Sequence, residues 1–135
     1  MKVNFSTELN SDTGTLVFIC VKNNPLDKYL NSLNKKIKGY IDKAIKVSSM
    51  EYDNNSHTDI VVPQGSKANR IILFGVDQKK ITNEYDWGKL GSSITSILNN
   101  KKIKEIKLVV PDLKKNKIDE ANILYGMALN TYRFN

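Results

Sequence analysis

The 135 residues are 40% apolar and 26% charged, the make-up of one globular domain with enough chain to bury its own core. A single cysteine excludes an internal disulfide, and no stretch approaches the ~20 consecutive apolar residues of a membrane span. The net charge of +7 rests on lysine, with Arg70 and Arg133 the only arginines, so the planar fork that suits phosphate and guanine is nearly missing.

Met1 to Thr7 alternates Val3 and Phe5 with polar neighbours, the period of a half-buried strand. The same start lacks the apolar h-region of a secretory signal, so a soluble, cytoplasmic protein is expected. A turn cluster at Asn10 to Gly14 leads into Thr15 to Lys22, an apolar run that predicts a strand covered on both faces and buries Cys20 as an inert thiol. Asn24 and Pro25 have the chemistry of a helix start. The following helix carries Leu26, Tyr29, Leu30, Leu33, Ile37, Ile41, Ala44 and Ile45 on one face and mostly lysine on the other, with Gly39 placed to bend or split it. Ser48 to Thr58 is polar and reads as a loop. Asp59 to Pro63 reads as a short strand, and Asn69 to Gly75 as a second buried strand.

Asn83 is positioned to cap the next helix, with Asp86 in its first turn and Trp87, Leu90, Ile94, Ile97 and Leu98 on one face. Gly91 shares that face and permits a close approach. Lys104 to Val110 predicts another strand. Asn116 is expected to cap a last helix with Ile118, Ala121, Leu124, Tyr125, Ala128, Leu129 and Tyr132 inward. Strands alternating with helices predict an α/β layer structure with a largely parallel sheet, made mixed if the first two strands pair antiparallel.

Candidate chemistry is thin. The only histidine, His57, falls in a polar loop with no second His or Cys to build a zinc site. Asp12, Asp53 and Asp59 sit in or beside turns, where side-chain oxygens bond backbone amides. Asp86 and Asp119 sit in first helical turns, where a carboxylate meets the positive end of the dipole. Gly65-Ser66-Lys67 lacks the upstream glycine of a phosphate loop and precedes a strand. Gly75-Val76-Asp77 follows a buried strand, where α/β sheets hold ligands, but one glycine and one aspartate describe a turn before they describe a nucleotide site. No G-x-S-x-G elbow is present, and no feature selects Lys67 or another lysine for activation. The lysines fall in four separated groups from Lys35 to Lys117, the spacing of a solvated surface. These residues describe a binding or assembly domain more readily than an enzyme.

Three segments carry a resemblance. Asn69 to Val76 resembles a strand with a basic residue, an aliphatic run and a glycine turn. Glu84 to Gly91 resembles the helix that follows it, and Glu120 to Phe134 a small-residue helix ending in Tyr-Arg-Phe. In this order they are similar to the N-terminal, non-catalytic domain of the leucine aminopeptidase (cytosol aminopeptidase) family. Asp77 departs from the family's second turn glycine. The resemblance implies a three-layer, macro-like α/β fold with a mixed, mostly parallel sheet flanked by helices, and residues 1–135 as a single domain. It implies a parent that releases N-terminal residues from peptides with two divalent metals, manganese or zinc, held in a catalytic domain absent from this chain. No catalytic, metal or cofactor residue is carried over to any position here. The implied partners are the parent's catalytic domain and the sister subunits of a hexamer. Tyr132, Arg133 and Phe134 correspond to the junction motif, with an anchoring role. Two rival readings are a free-standing macro-type binder of ADP-ribose or a related nucleotide, and a DNA-binding regulatory module supported by charge alone.

Overall fold

The structure, a computed structural model, describes residues 2–6, 13–22, 28–52, 56–61, 67–81, 83–110 and 119–132. The strands are β1 (Lys2–Ser6), β2 (Gly14–Val21), β3 (His57–Val61), β4 (Ala68–Val76) and β5 (Glu105–Val109). Among the described residues the helices are α1 (Lys28–Lys36), α2 (Tyr40–Ser48), α3 (Glu84–Asn100) and α4 (Glu120–Tyr132), with a 3₁₀ turn at Gln78–Lys80.

The strands form a single sheet in the order β1-β5-β2-β4-β3. All neighbours run parallel except β3, which pairs antiparallel with β4 at the edge. The mixed sheet was expected from an antiparallel β1–β2 pair, and that is corrected: β1 pairs with β5, a hundred residues away in sequence, and β2 lies between β5 and β4. β2 and β4 are the most apolar strands because both of their faces are covered. Val17, Ile19 and Val21 with Ile72, Phe74 and Val76 pack under α3 and α4. Leu16, Phe18 and Cys20 with Ile71 and Leu73 pack under α1 and α2. Alternate residues thus feed two cores, one on each side of the sheet, and the three-layer α/β architecture follows.

Gly39 splits the first helical segment. Its φ of 76° is left-handed, and its amide bonds to the Asn34 carbonyl at 2.8 Å, closing α1. The Asn34 side chain, nearly buried, then accepts the Asp42 amide at 3.1 Å and helps start α2. Asn83 caps α3 as predicted, its Oδ1 accepting the Asp86 amide at 3.0 Å. The last helix starts later than predicted. Asp119 caps it, Oδ1 accepting the Asn122 amide at 3.1 Å, while Asn116 lies outside the described residues.

The inward face of α4 also differs from the predicted one. Ile123, Gly126 and Met127 are buried, whereas Tyr125, Ala128 and Leu129 are exposed and Leu124 is half-buried. The cause is the contact with α3. Gly126 lies against Gly88 and Gly91 lies against Ile123, so the two backbones nearly touch and the helix turns its glycine side inward.

Candidate functional site

Two places in this fold combine shape with chemistry. One is the crevice outside the C-terminal ends of β2 and β4. The chain leaves β2 for helices on one face and leaves β4 for α3 on the other, so the strand ends part there, as at the ligand crevices of open α/β sheets. A cavity of about 340 Å³ opens at this point, with Tyr52, Asp77, Lys80, Ile81, Asp86 and Leu90 in its walls. Gly75 serves packing here. A Cβ on it would stand 2.9 Å from the Glu51 carbonyl oxygen and 3.0 Å from the Tyr52 ring, so glycine lets that segment lie on the strand. Its amide bonds to the Ser56 carbonyl at 3.2 Å. Burial, with a smaller contribution from Cys20, pushes the Tyr52 phenol above its ordinary pKa, so it stays a hydroxyl donor.

The crevice carries charges of both signs, Asp77 and Asp86 with Lys80 and Lys89. Asp77 Oδ1 accepts the Lys79 amide at 3.1 Å and caps the 3₁₀ turn, and Oδ2 faces the Lys22 ammonium at 3.7 Å. The N-terminus of α3, an anion site in many nucleotide folds, carries the carboxylates of Glu84 and Asp86 and has Asn83 as its cap.

The second place is the outer face of α3 and α4. A Cβ on Gly126 would stand 2.0 Å from the Gly88 carbonyl oxygen, and one on Gly91 2.0 Å from the Ile123 carbonyl oxygen. These glycines weld the helices into one rigid pair. Outside the seam runs a groove of about 430 Å³ bordered by Tyr85, Lys89, Tyr125 and Leu129. Tyr85, Tyr125 and Leu129 are 70%, 63% and 48% exposed, and the Lys89 ammonium lies 5.1 Å from the centre of the Tyr85 ring. Large apolar side chains are thus gathered on two neighbouring helices. Periodicity had assigned Tyr125 and Leu129 to the core. Gly126 was the signal that the opposite side of α4 faces inward.

The remaining predicted residues fall as follows. His57 opens β3, not a loop, and its ring stacks on Phe74 with centroids 5.6 Å apart. Asp59 lies in β3, the strand that was expected to start at that residue. Arg70 Nε donates to its Oδ1 at 2.8 Å, and the Lys101 ammonium donates to Oδ2 at 2.9 Å, tying edge strand β3 to the end of α3. Asp12, Asp53, Gly65 and Ser66 lie outside the described residues. Tyr132 is the last residue of α4, and Arg133 and Phe134 lie outside the described residues. Among the described residues no three His, Cys, Asp or Glu side chains converge to hold a metal, and no helix is long and apolar enough to cross a membrane. Lys35, Lys36, Lys38, Lys43 and Lys46 are all exposed on the α1–α2 layer.

Comparison with known proteins gives a consistent picture. The family model described as the cytosol aminopeptidase family, N-terminal domain, matches residues 16–135. A probable cytosol aminopeptidase of Rhizobium rhizogenes is 32% identical over 92 residues, which are 68% of this chain and 18% of that protein. One from Rhizobium etli is 26% identical over 133 residues, 98% of this chain and 26% of that protein. The chain therefore spans about a quarter or less of the length of these curated relatives. Among solved structures, a mutant of tomato leucine aminopeptidase superposes with a TM-score of 0.71 at 16% identity, covering 96% of this chain and 28% of that one. The macrodomain of Mycobacterium tuberculosis DarG superposes with a TM-score of 0.66 at 11% identity, covering 98% and 91%. At these identities the two superpositions establish the fold, a macro-like α/β domain.

Proposed function

The chain belongs to the cytosol aminopeptidase family, as its N-terminal domain, and from that membership we propose that it is the non-catalytic assembly domain of a bacterial leucyl aminopeptidase. The longer protein would release N-terminal residues from peptides in the cytoplasm, using two divalent metals, manganese or zinc, as Lewis acids and water activators. Family membership assigns these metals to a separate catalytic domain. The domain's own work is to present a rigid surface to that catalytic domain and to sister subunits of a hexamer.

The observation that carries this reading is the glycine-welded α3–α4 pair with Tyr85, Tyr125 and Leu129 turned outward. Such a face costs solubility when left bare and repays it when covered. It belongs to the helix that ends at Tyr132 and leads to Arg133 and Phe134, the residues assigned to anchoring the junction. Two measurements test the reading. The 135-residue chain, assayed on a leucine chromogenic substrate with added manganese or zinc, should show no turnover that follows the protein through repurification. In the full-length parent, Tyr125→Ser with Leu129→Ser should lower the oligomer fraction in sedimentation while leaving the fold of the domain intact. An unchanged oligomer refutes the assigned role of this face.

A second reading has one observation behind it. The five exposed lysines of the α1–α2 layer give the domain a basic side, which supports sequence-independent contact with nucleic acid. The macro-type nucleotide reading has weaker support, because the carboxylates and the packed Gly75 oppose a phosphate cradle.

A further inference from the structure

We propose that the α3–α4 face binds the same face of a second copy of this chain about a two-fold axis, with the two α3 helices antiparallel. The inference rests on the assembly role proposed above and names the partner that covers the face. Gly126 lies against Gly88 and Ile123 against Gly91, so numbering falls along α4 as it rises along α3, and the two helices run antiparallel. About one turn from that contact, Tyr85 on α3 and Leu129 on α4 stand at one end of the groove, with Ser92 and Asn122 at the other. Tyr125 adds a second aromatic wall on the α4 side.

The pattern along α3 is self-complementary. In a two-fold interface a residue i meets j of the other copy, and j meets i. Glu84 and Lys89, opposite in charge, both border the groove, and so do Tyr85 and Gly88. The two pairs share one midpoint, between Asp86 and Trp87. An axis at that midpoint sets each Glu84 against the second copy's Lys89 and each Tyr85 against the second copy's Gly88. Tyr85 is 70% exposed, so its ring projects from the surface. Gly88 is a hollow, because a Cβ there would have no atom nearer than 3.8 Å. A ring over a glycine and a carboxylate beside an ammonium are thus each satisfied twice by a single rotation. The Lys89 ammonium, 5.1 Å from the centre of the Tyr85 ring, is already drawn towards this surface. A partner of uniform charge fits less well, since an acidic one meets Glu84 and a basic one meets Lys89.

Sedimentation equilibrium of the 135-residue chain tests the pairing, with Tm recorded for every variant. The wild-type chain should show a monomer–dimer equilibrium with a Kd on the order of 100 μM. Glu84→Lys alone should weaken the dimer by about fivefold or more, and Lys89→Glu alone by as much, because each sets like charges together at both symmetry-related contacts. An equimolar mixture of the two variants should restore association, since each supplies the charge the other lacks. The chain carrying both reversals should recover too, and recovery there excludes a folding defect as the cause of the loss. Gly88→Ala fills the hollow and should weaken the dimer by about threefold or more at a Tm no lower than that of the wild type. A wild-type chain still monomeric at about tenfold that concentration, single reversals that leave association unchanged, or a mixture that gives no rescue overturns the pairing. A full-length oligomer that responds to Tyr125→Ser with Leu129→Ser but not to the charge reversals also overturns it, and leaves the assembly role standing.

Discussion

The seam between α3 and α4 can be tested by two substitutions that differ only in where the added methyl group points. In Gly126→Ala the new Cβ would stand 2.0 Å from the Gly88 carbonyl oxygen, 2.7 Å from its carbonyl carbon and 2.9 Å from its Cα. All three are backbone atoms of a helix, and none can rotate aside. Ordinary contact begins near 3.4 Å, so the helices must part by about 1.4 Å. A radial gap of ~0.5–1 Å already forfeits a quarter to a half of a dispersion contact. Ile123, Met127, Leu90 and Ile94, which fill the core beneath the seam, would lose packing together. Overpacking of this kind costs ~1–3 kcal/mol or more, and the better helix propensity of alanine returns at most ~1 kcal/mol. We expect a net loss of about 1–3 kcal/mol. In Gly88→Ala the nearest atom to the new Cβ is the Asn122 carbonyl oxygen at 3.8 Å, an ordinary contact. That variant should be neutral or gain up to ~1 kcal/mol. Urea denaturation with a common m value measures both. If the two variants are equally stable, the backbones do not meet at this seam and the rigid-pair account fails.

Within α4, Ile123→Ala should cost ~2–5 kcal/mol because the side chain is wholly buried, while half-buried Leu124→Ala should cost about 1 kcal/mol; the reverse order would restore the face predicted from periodicity. Burial alone would raise the Asp59 carboxyl, but hydrogen bonds and charge from Arg70 and Lys101 outweigh it and hold the pKa below its ordinary value. A depressed carboxylate contributes stability above its unfolded pKa, about 3.8, and loses it as pH falls through the folded value. Asp59→Asn should therefore destabilise the domain at neutral pH and flatten the fall in Tm below about pH 4, and an unchanged acid slope would show that the pairing contributes nothing. For the basic α1–α2 layer, fluorescence titration of unrelated duplexes should give weak binding. Its log K should fall against log salt with a slope no steeper than about −4.5 for five lysines; tight binding to one sequence at physiological salt would favour a regulator.

What the sequence made legible was whatever short-range chemistry decides. Asn83 capped its helix and Gly39 split one, because a cap or a left-handed residue acts within a few positions of itself. The apolar runs of β2 and β4 were read as strands covered on both faces, and each does feed two cores. What was misread depends on partners far away. Nothing near β1 shows that it pairs with β5, and nothing near Asp59 shows that Arg70 and Lys101 will reach it. His57 looked like a loop residue because its neighbours are polar, yet the ladder with β4 extends to it and sets its ring on Phe74.

Helix α4 shows how the misreading and the function are connected. Its sequence is apolar on more than one side, so a periodicity argument has no single stripe to choose, and it chose Tyr125, Ala128 and Leu129. A core helix with one apolar side can be solved by burial alone. A helix with two must put one against its own sheet and offer the other elsewhere. Close packing settles which is which, because only the side holding Gly126 can approach the α3 backbone. The aromatic and leucine side chains then remain outside, where in a monomer they would be a liability. On the proposed assembly role, this second apolar side is the surface a partner would cover, and the α3–α4 groove is where that partner should be sought.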